Sequence, residues 1–191
     1  GQSVGRALNE AVIHTARVAK IQKFRITLDG RLADEFRGDG LIIATPTGST
    51  SYAMSAGSPI LHPAVGAHVL VPIAPYRIGS RPLVIPDSVE LGIKLLNPRP
   101  SVVVLDGGDE LAVGPDDEIT ITKSTTPARF ARFGDTFFER VQRKLAEWGL
   151  GQPAHGRRHR GRLPQGTGRG RGSGGTEGPA LQEIRCDPVS L

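Results

Sequence analysis

Short apolar runs separated by turn-forming residues limit the fold of this chain more than any other feature of its sequence. Between residues 41 and 121 these runs are short, and dipeptides such as Pro86-Asp87 separate them. Runs with such boundaries are typical of strands. They are residues 41–44, 69–73, 83–85, 89–95, 102–105 and 118–121. This rhythm predicts a mainly β chain, arranged as a β-sandwich.

Hairpins are predicted at two turns that are rich in Asp and Gly. Residues 25–36 contain two short strand patterns around Asp29-Gly30, and Asp-Gly supplies the positive φ angles that a tight hairpin turn needs. The sequence Gly107-Gly108-Asp109 lies between the apolar residues 102–105 and 111–113. This position favours a second hairpin turn over a catalytic glycine loop.

Helical spacing occurs in two places. A short helix is predicted directly after Ser49, where Ala and Ser predominate. A C-terminal helix is predicted over residues 135–148, because large apolar side chains recur there on one helical side. These side chains are Phe137, Phe138, Val141, Leu145 and Trp148.

The composition changes at residue 151. Residues 151–191 contain ten Gly and seven Arg but few large apolar side chains, so they bury too little surface to offset the entropy of ordering. We expect one domain over residues 1–150 and a disordered tail over residues 151–191. The tail carries +4 of the net charge of +5, so the domain is close to neutral. Because the tail has no Phe or Tyr to stack on bases, nucleic-acid binding is not favoured.

The Cys, His and apolar residues exclude several classes of protein. The one cysteine, Cys186, has no partner for an internal disulfide. No His has the paired spacing with a carboxylate that a metal site built from side chains needs. The longest apolar runs fall far short of the roughly 20 residues that cross a bilayer. We expect a cytoplasmic protein with no membrane span and no metal site of its own side chains.

The densest group of ligand-binding side chains is the string Ala-Thr-Pro-Thr-Gly-Ser-Thr-Ser-Tyr at residues 44–52. It joins a buried-type strand to the predicted short helix. Amides at a helix start, hydroxyl groups and the small Gly48 would together suit a phosphate-bearing ligand. The alternative is an ordinary helix cap, in which Thr47, Ser49 or Thr50 only satisfies backbone donors. Composition alone leaves both interpretations open.

A longer string carries a family resemblance. Residues 39–60, DGLIIATPTGSTSYAMSAGSPI, closely resemble the NAD-binding signature of the NAD kinase family. The Asn9-Glu10 pair is similar to that family's Asn-Glu element, and residues 71–82 resemble its Pro-rich stretch that ends in Arg-Pro. Residues 121–124 and the helix that ends at Trp148 are similar to its C-terminal elements. The resemblance covers about residues 6–150, in the family's order.

The resemblance implies a β-rich NAD-binding domain from a kinase whose other domain is α/β. It implies that Asn9 hydrogen-bonds the amide or adenine edge of NAD and that Glu10 binds ribose hydroxyls. Asp39 would bind the second ribose, and Arg37 would lie near a phosphate. The other residues that would line the cleft are Thr47, Thr50, Ser51, Tyr52, Ser55 and Ala74.

Several of these positions also have an ordinary structural interpretation when the family is set aside. Asn9-Glu10 would be a pair at a helix start. The Gly-Asp-Gly sequence around Asp39 would be a turn, and Tyr52 would pack in the core.

Three positions depart from the family's pattern. Gly108 stands where a Gln usually reaches toward the ligand, Tyr76 where many relatives carry His, and Ser51 where many carry Ala. These departures concern the geometry of ligand contacts.

The resemblance implies an enzyme that phosphorylates the adenosine-ribose 2′-hydroxyl of NAD to give NADP. ATP or polyphosphate would be the donor and Mg²⁺ the cofactor, and the family's members form homo-oligomers. The family's Gly-Gly-Asp-Gly-Thr loop, which carries its catalytic base, does not occur in these residues. We therefore expect the base in an N-terminal lobe outside this chain, and little activity from the chain alone.

Two alternatives remain. One is a non-catalytic dinucleotide-binding or regulatory module. The other is a relative of the lipid and sphingoid-base kinases, from which Asn9-Glu10 and the string at residues 50–52 point away.

Overall fold

The computed structural model of the chain is mainly β. It describes residues 2–17, 20–77, 80–131, 134, 136–147 and 180–188, with the backbone alone for residues 2–3 and 180–188. The strands are β1 (Gln2–Ala7), β2 (Glu10–Thr15), β3 (Gln22–Leu28), β4 (Arg31–Gly38), β5 (Gly40–Ala44), β6 (Ala67–Ile73), β7 (Leu83–Pro86), β8 (Leu91–Leu95), β9 (Ser101–Leu105), β10 (Glu110–Val113), β11 (Asp117–Pro127) and β12 (Ala180–Pro188). The helical elements are a 3₁₀ turn (Gly48–Thr50), α1 (Tyr52–Ser55) and α2 (Phe137–Glu147).

The strands form two six-stranded sheets. The first sheet has the order β1-β12-β11-β8-β3-β4, and the second has the order β10-β9-β2-β5-β6-β7. Neighbouring strands in both sheets are antiparallel. Apolar side chains of the two sheets, such as Phe24 and Ile93 from the first and Ile13 and Leu41 from the second, share one buried cluster. The predicted β-sandwich is confirmed.

The second sheet is covered on its outer face as well. Val12, Ile42 and Val69 of that face form a separate buried cluster with Ala53 of α1. All five residues of β5 are therefore buried, which explains why its sequence is continuously apolar rather than alternating. This outer face carries the candidate site.

Both predicted hairpins are confirmed. β3 pairs with β4 across Asp29 and Gly30, whose φ angles are 49° and 73°. β9 pairs with β10 across a turn in which Asp106 and Gly107 have φ angles of 48° and 71°. Two successive positive φ angles are those of a type I′ turn, which suits the twist of a hairpin.

Three strands differ from what the sequence pattern indicates. β1 ends at Ala7 and β2 begins at Glu10, so the helix-start interpretation of Asn9-Glu10 is wrong. Residues 11–13 of β2 are all apolar because Ala11 and Ile13 face the inner cluster while Val12 faces the outer one.

The third strand, β12, lies inside the segment that was expected to be disordered. It pairs antiparallel with β11 on one side and with β1 on the other, so residues 180–188 form a strand that the sequence pattern did not predict. All ten Gly of the segment precede residue 180, and the average composition hid a stretch without glycine. The other residues of 151–191 lie outside the described residues, and the boundary at residue 150 stays a prediction.

The chain divides into two compact units, Gly1–Arg129 with Gly178–Leu191, and Phe130–Glu177. The second unit contains α2, which confirms the predicted C-terminal helix, although Asp135 and Trp148 lie outside the described residues. Thr136 and Glu139 exchange hydrogen bonds at its start as a capping box. Within the described part of the chain, no helix is long and apolar enough to cross a membrane.

Candidate functional site

The candidate site begins at the bend between β1 and β2, where Asn9 and Glu10 lie. The Asn9 carbonyl accepts a hydrogen bond from the Thr45 N–H (2.8 Å), and the Leu8 carbonyl accepts one from Thr45 Oγ1 (2.6 Å). On the other side, the N–H groups of residues 8, 9 and 10 donate to the Asp106 carboxylate at 2.6, 2.8 and 2.9 Å. The bend is therefore held through both its carbonyls and its amides.

The loop at residues 45–51 packs directly against this bend. A Cβ on Gly48 would lie 1.9 Å from the Asn9 carbonyl oxygen, so only glycine fits there. Thr45 Oγ1 accepts a hydrogen bond from the Gly48 N–H (3.1 Å), and Ser51 Oγ donates to Glu10 Oε1 (3.4 Å). Bend and loop thus form one connected unit.

The hydroxyl groups of the loop do not act as simple helix caps. Thr47 stands at the cap of the 3₁₀ turn but makes no capping hydrogen bond through its side chain, and its buried hydroxyl oxygen has no partner among the described residues. Ser49 Oγ donates to the Pro46 carbonyl (2.7 Å), and Thr50 Oγ1 donates to the Thr47 carbonyl (3.3 Å). These hydroxyls shape the loop.

The loop also differs from the expected phosphate seat at a helix start. Within it, the N–H of Gly48 donates to Thr45 Oγ1, that of Ser49 to the Thr45 carbonyl and that of Ser51 to the Gly48 carbonyl. The following helix, α1, has only four residues. A helix of one turn has almost no macrodipole, and these three amides are already used. A phosphate would need other donors.

A cavity of about 540 Å³ lies beside this unit, on the outer face of the second sheet. Glu10, Val12 and His14 all line it because alternate residues of a strand point to the same face. Ile73 and Val104 extend its apolar wall. Its volume is within the roughly 300–1,000 Å³ of typical small-molecule sites.

Two carboxylates and one phenol ring give the cavity its polar chemistry. Glu10, Asp39 and Tyr52 line it together, and Tyr52 is 47% exposed, so the core-packing interpretation of Tyr52 is wrong. Two hydrogen bonds fix the backbone of Asp39. Its carbonyl accepts from the Thr15 N–H of β2 (3.1 Å), and its N–H donates to the Ile73 carbonyl of β6 (3.0 Å). Carboxylates accept hydrogen bonds from sugar hydroxyls and repel phosphates. The cavity suits a ligand with flat rings and hydroxyl groups.

Of the ten predicted site residues, three line this cavity; the seven that do not are Asn9, Arg37, Thr47, Thr50, Ser51, Ser55 and Ala74. Arg37 is exposed and lines a second cavity, of about 600 Å³, with the cationic Lys20 and Arg99. Ser55 is exposed at the end of α1. Ala74 is exposed and has a φ of 43°, a strained left-handed conformation for a residue with a Cβ. The first cavity gathers acceptors, whereas the second gathers positive charge.

Sequence reasoning missed two residues that organise the site, Thr45 and Asp106. Thr45 is fully buried and joins loop to bend, yet a threonine at the end of a strand carries no distinctive signal. Asp106 lies next to the predicted turn at residues 107–109 and was not among the predicted site residues; its partners lie 96 to 98 residues away in sequence. No local pattern reports a contact at that separation.

No group of three or more metal-ligating side chains occurs among the residues that the structure describes. Mg²⁺ in nucleotide enzymes is held mainly by phosphates and water, with one or two carboxylates. We therefore assign no residue of this chain to a metal.

Comparisons with known proteins agree with the fold. The family model of the ATP-NAD kinase C-terminal domain matches residues 8–133. An NAD kinase of Methanocorpusculum labreanum is 52% identical over 145 residues, covering 76% of this chain and 54% of the relative. One of Methanosarcina mazei is 47% identical over 148 residues, covering 76% of this chain and 51% of the relative.

Two solved structures are similar as well. The crystal structure of an Archaeoglobus fulgidus NAD kinase in complex with ATP has a TM-score of 0.66 and 35% identity, over 73% of this chain and 54% of that one. The yeast NADH kinase complexed with NADH has a TM-score of 0.51 and 35% identity, over 56% of this chain and 32% of that one.

The chain thus spans about half the length of the curated relatives that it matches. The match includes the bend, the loop and the strands that line the cavity, which all lie within residues 8–133. The chain belongs to the NAD kinase family, through that family's C-terminal domain.

Proposed function

We propose that the protein phosphorylates the 2′-hydroxyl of the adenosine ribose of NAD, giving NADP, and that this chain supplies the dinucleotide-binding domain. The cavity on the outer face of the second sheet is the main observation in support, because it places Glu10, Asp39 and Tyr52 around one apolar wall. A dinucleotide combines flat rings with ribose hydroxyls, which these groups match.

Within this proposal, each part of the site has a chemical task. Glu10 and Asp39 accept hydrogen bonds from ribose hydroxyls, and the Tyr52 ring stacks on a base or on nicotinamide. Asn9 presents both a donor and an acceptor to an amide or adenine edge. Arg37 neutralises a phosphate from its separate cavity. The hydroxyls of Thr47, Thr50, Ser51 and Ser55 and the backbone at Ala74 complete the cleft.

The transfer itself needs parts that we do not assign to this chain. A phosphoryl transfer requires an aligned donor, charge neutralisation and a group that accepts the proton of the attacking hydroxyl. ATP or polyphosphate is the proposed donor, and Mg²⁺, when bound, would neutralise charge on its phosphates. The residues of this chain bind and orient NAD, so the chain alone should bind NAD without turnover. We also propose that the protein acts in the cytoplasm as a homo-oligomer.

Titration of NAD into the purified chain tests the binding part of the proposal. We expect Glu10→Gln and Asp39→Asn each to weaken NAD binding about tenfold, because each loses a charge-assisted hydrogen bond to a ribose. Asp34→Asn, at an exposed position of β4 in the other sheet, is the matched control and should bind like wild type. Equal affinity of all four proteins would contradict the proposed site.

The second candidate function is a non-catalytic dinucleotide-binding module. It is favoured by one observation: Glu10, Asp39 and Tyr52 around one apolar wall suit the hydroxyls and rings of a dinucleotide, which binding alone requires. An activity assay on the protein purified from its native cells, with NAD, ATP and Mg²⁺ added, distinguishes the kinase from the binding module. NADP formation supports the kinase, and NAD binding without NADP supports the module. Fast NADP formation by the chain alone would show that the base lies within it.

A further inference from the structure

The turn between β9 and β10 has a feature that its hairpin role does not require. Asp106 and Gly107 are its two left-handed residues, and the Gly108 N–H closes it on the Leu105 carbonyl (2.8 Å). Asn or Gly would serve equally well in such a turn. The turn geometry alone therefore does not explain an aspartate at residue 106.

The Asp106 carboxylate is directed away from its own turn, toward the bend at residues 8–10. Oδ2 accepts from the Leu8 N–H (2.6 Å), and Oδ1 accepts from the N–H groups of Asn9 (2.8 Å) and Glu10 (2.9 Å). The Asp106 N–H returns a bond to the Glu10 carbonyl (3.0 Å). Three successive amides that converge on one anion form a nest, a strong arrangement for a carboxylate.

These bonds fix the two residues that present side chains to the proposed ligand. On its opposite side the bend rests on Thr45 and Gly48, which contact backbone atoms of Leu8 and Asn9. On the amide side, the Asp106 carboxylate accepts from all three N–H groups of the bend. Gly107, the next residue of the turn, lines the cavity together with Glu10.

We infer that Asp106 is a positioning residue for the dinucleotide: its carboxylate sets the backbone of residues 8–10 so that Asn9 and Glu10 face the ligand. The inference rests on the proposed function, because it concerns the same site. Asp106 need not touch the ligand, since it acts through the backbone of the bend.

Two substitutions at residue 106 test the role of the carboxylate while they keep the turn conformation. Both Asn and Gly tolerate a φ of 48°, so Asp106→Asn and Asp106→Gly keep the turn. Asparagine retains one acceptor oxygen but places an NH₂ group where the second oxygen was, opposite the Leu8 N–H. Glycine removes all three acceptor contacts. Asp109→Asn is the control, because it makes the same charge change at an exposed position just after the turn.

Amide hydrogen exchange and NAD titration of the full chain test the inference together. We expect Asp106→Gly to speed exchange at residues 8, 9 and 10 and to weaken NAD binding about tenfold or more, with core amides such as Ile42 unchanged. Asp106→Asn should speed exchange mainly at Leu8 and weaken binding less. Asp109→Asn should change neither quantity.

Hydrogen exchange and NAD affinity together distinguish a failure of the proposed Asp106 role from a failure of the proposed NAD site. Unchanged exchange at residues 8–10 in Asp106→Gly, or NAD affinity within about twofold of wild type, overturns the inference. Loss of protection throughout the core overturns it as well, because Asp106 would then support the whole fold. A wild-type chain that binds no NAD, with exchange at residues 8–10 still dependent on Asp106, overturns the proposed function and leaves Asp106 as a support of the bend only.

Discussion

At the scale of single residues, the buried hydroxyl of Thr45 connects the two halves of the site. It donates to the Leu8 carbonyl and accepts from the Gly48 N–H. Thr45→Val keeps the shape but leaves both groups unsatisfied in a buried place, at a cost of about 2 kcal/mol of unfolding free energy. Urea denaturation measures the unfolding free energies of the variant and of wild type. Thr125→Val, at an exposed position of β11, should change stability by less than about 0.5 kcal/mol, and equal stabilities of the two variants would contradict the role of Thr45.

A substitution at Gly48 tests the contact between the loop at residues 45–51 and the bend at residues 8–10. In Gly48→Ala the new Cβ would lie 1.9 Å from the Asn9 oxygen and 2.4 Å from its carbonyl carbon, so the backbone must move. We expect a loss of about 1–3 kcal/mol in stability and weaker NAD binding. Gly114→Ala is the control, because the new Cβ would lie 3.9 Å from Asp117 Oδ2, an ordinary van der Waals distance. NAD binding that survives Gly48→Ala would show that the bend can move freely.

Much of the site's composition could be predicted, but little of its internal geometry. The string at residues 39–60 and the Asn9-Glu10 pair carry the family resemblance. They predict Glu10, Asp39 and Tyr52 as site residues, and all three line the cavity. The bonds made by Thr45 and Asp106 join segments far apart in sequence. Such contacts arise from tertiary packing, which one sequence does not display.

At the scale of elements, β1 depends on β12. The β12 strand is the sheet neighbour of β1 and separates it from β11. A chain that ends at residue 147 should therefore leave the β1 amides without their partner strand, because each ladder bond would be lost. Amide exchange at residues 2–7 should become faster, while β5 stays protected. Unchanged protection of residues 2–7 would contradict the pairing with residues 180–188.

The β6 strand carries a histidine that makes stability depend on pH. His68 is 1% exposed, and burial lowers its pKa below the usual 6.5; Asp87 opposes this change and Lys123 reinforces it. Below pH 6.5 the unfolded chain therefore binds a proton that the folded chain resists, so stability falls as the pH decreases toward the folded pKa. Asp87 and Lys123 form an ion pair at 2.9 Å beside it.

Urea midpoints at pH 7.5 and pH 5.5 measure this effect. We expect His68→Leu to reduce the difference between the two midpoints, because the titrating ring is gone. His62→Gln, at an exposed position, should leave the difference as it is in wild type. A pH dependence that His68→Leu does not alter would assign the effect to other groups.

The sequence pattern predicted elements with clear local signals and missed those without one. Hairpins at Asp29-Gly30 and Gly107-Gly108 follow from turn chemistry, and the apolar runs of β5, β6 and β9 follow from burial. β2 was not recognised because its apolar run, residues 11–13, is only three residues long and directly follows the polar pair Asn9-Glu10. β12 was hidden by the glycine-rich composition of the residues before it.

At the scale of the whole molecule, the chain spans about half of its relatives' length, and its two-sheet unit carries a cavity on the outer face of the second sheet. We propose this outer face as the place where NAD binds.

Intermolecular nuclear Overhauser effects between NAD protons and labelled methyl groups test this location. We expect effects from the base and ribose protons of NAD to the methyls of Val12, Ile73 and Val104, which line the cavity. The exposed methyls of Val84 and Leu111, elsewhere on the chain, should show none. Nuclear Overhauser effects to Val84 or Leu111, with none to the methyls that line the cavity, would contradict NAD binding on this face.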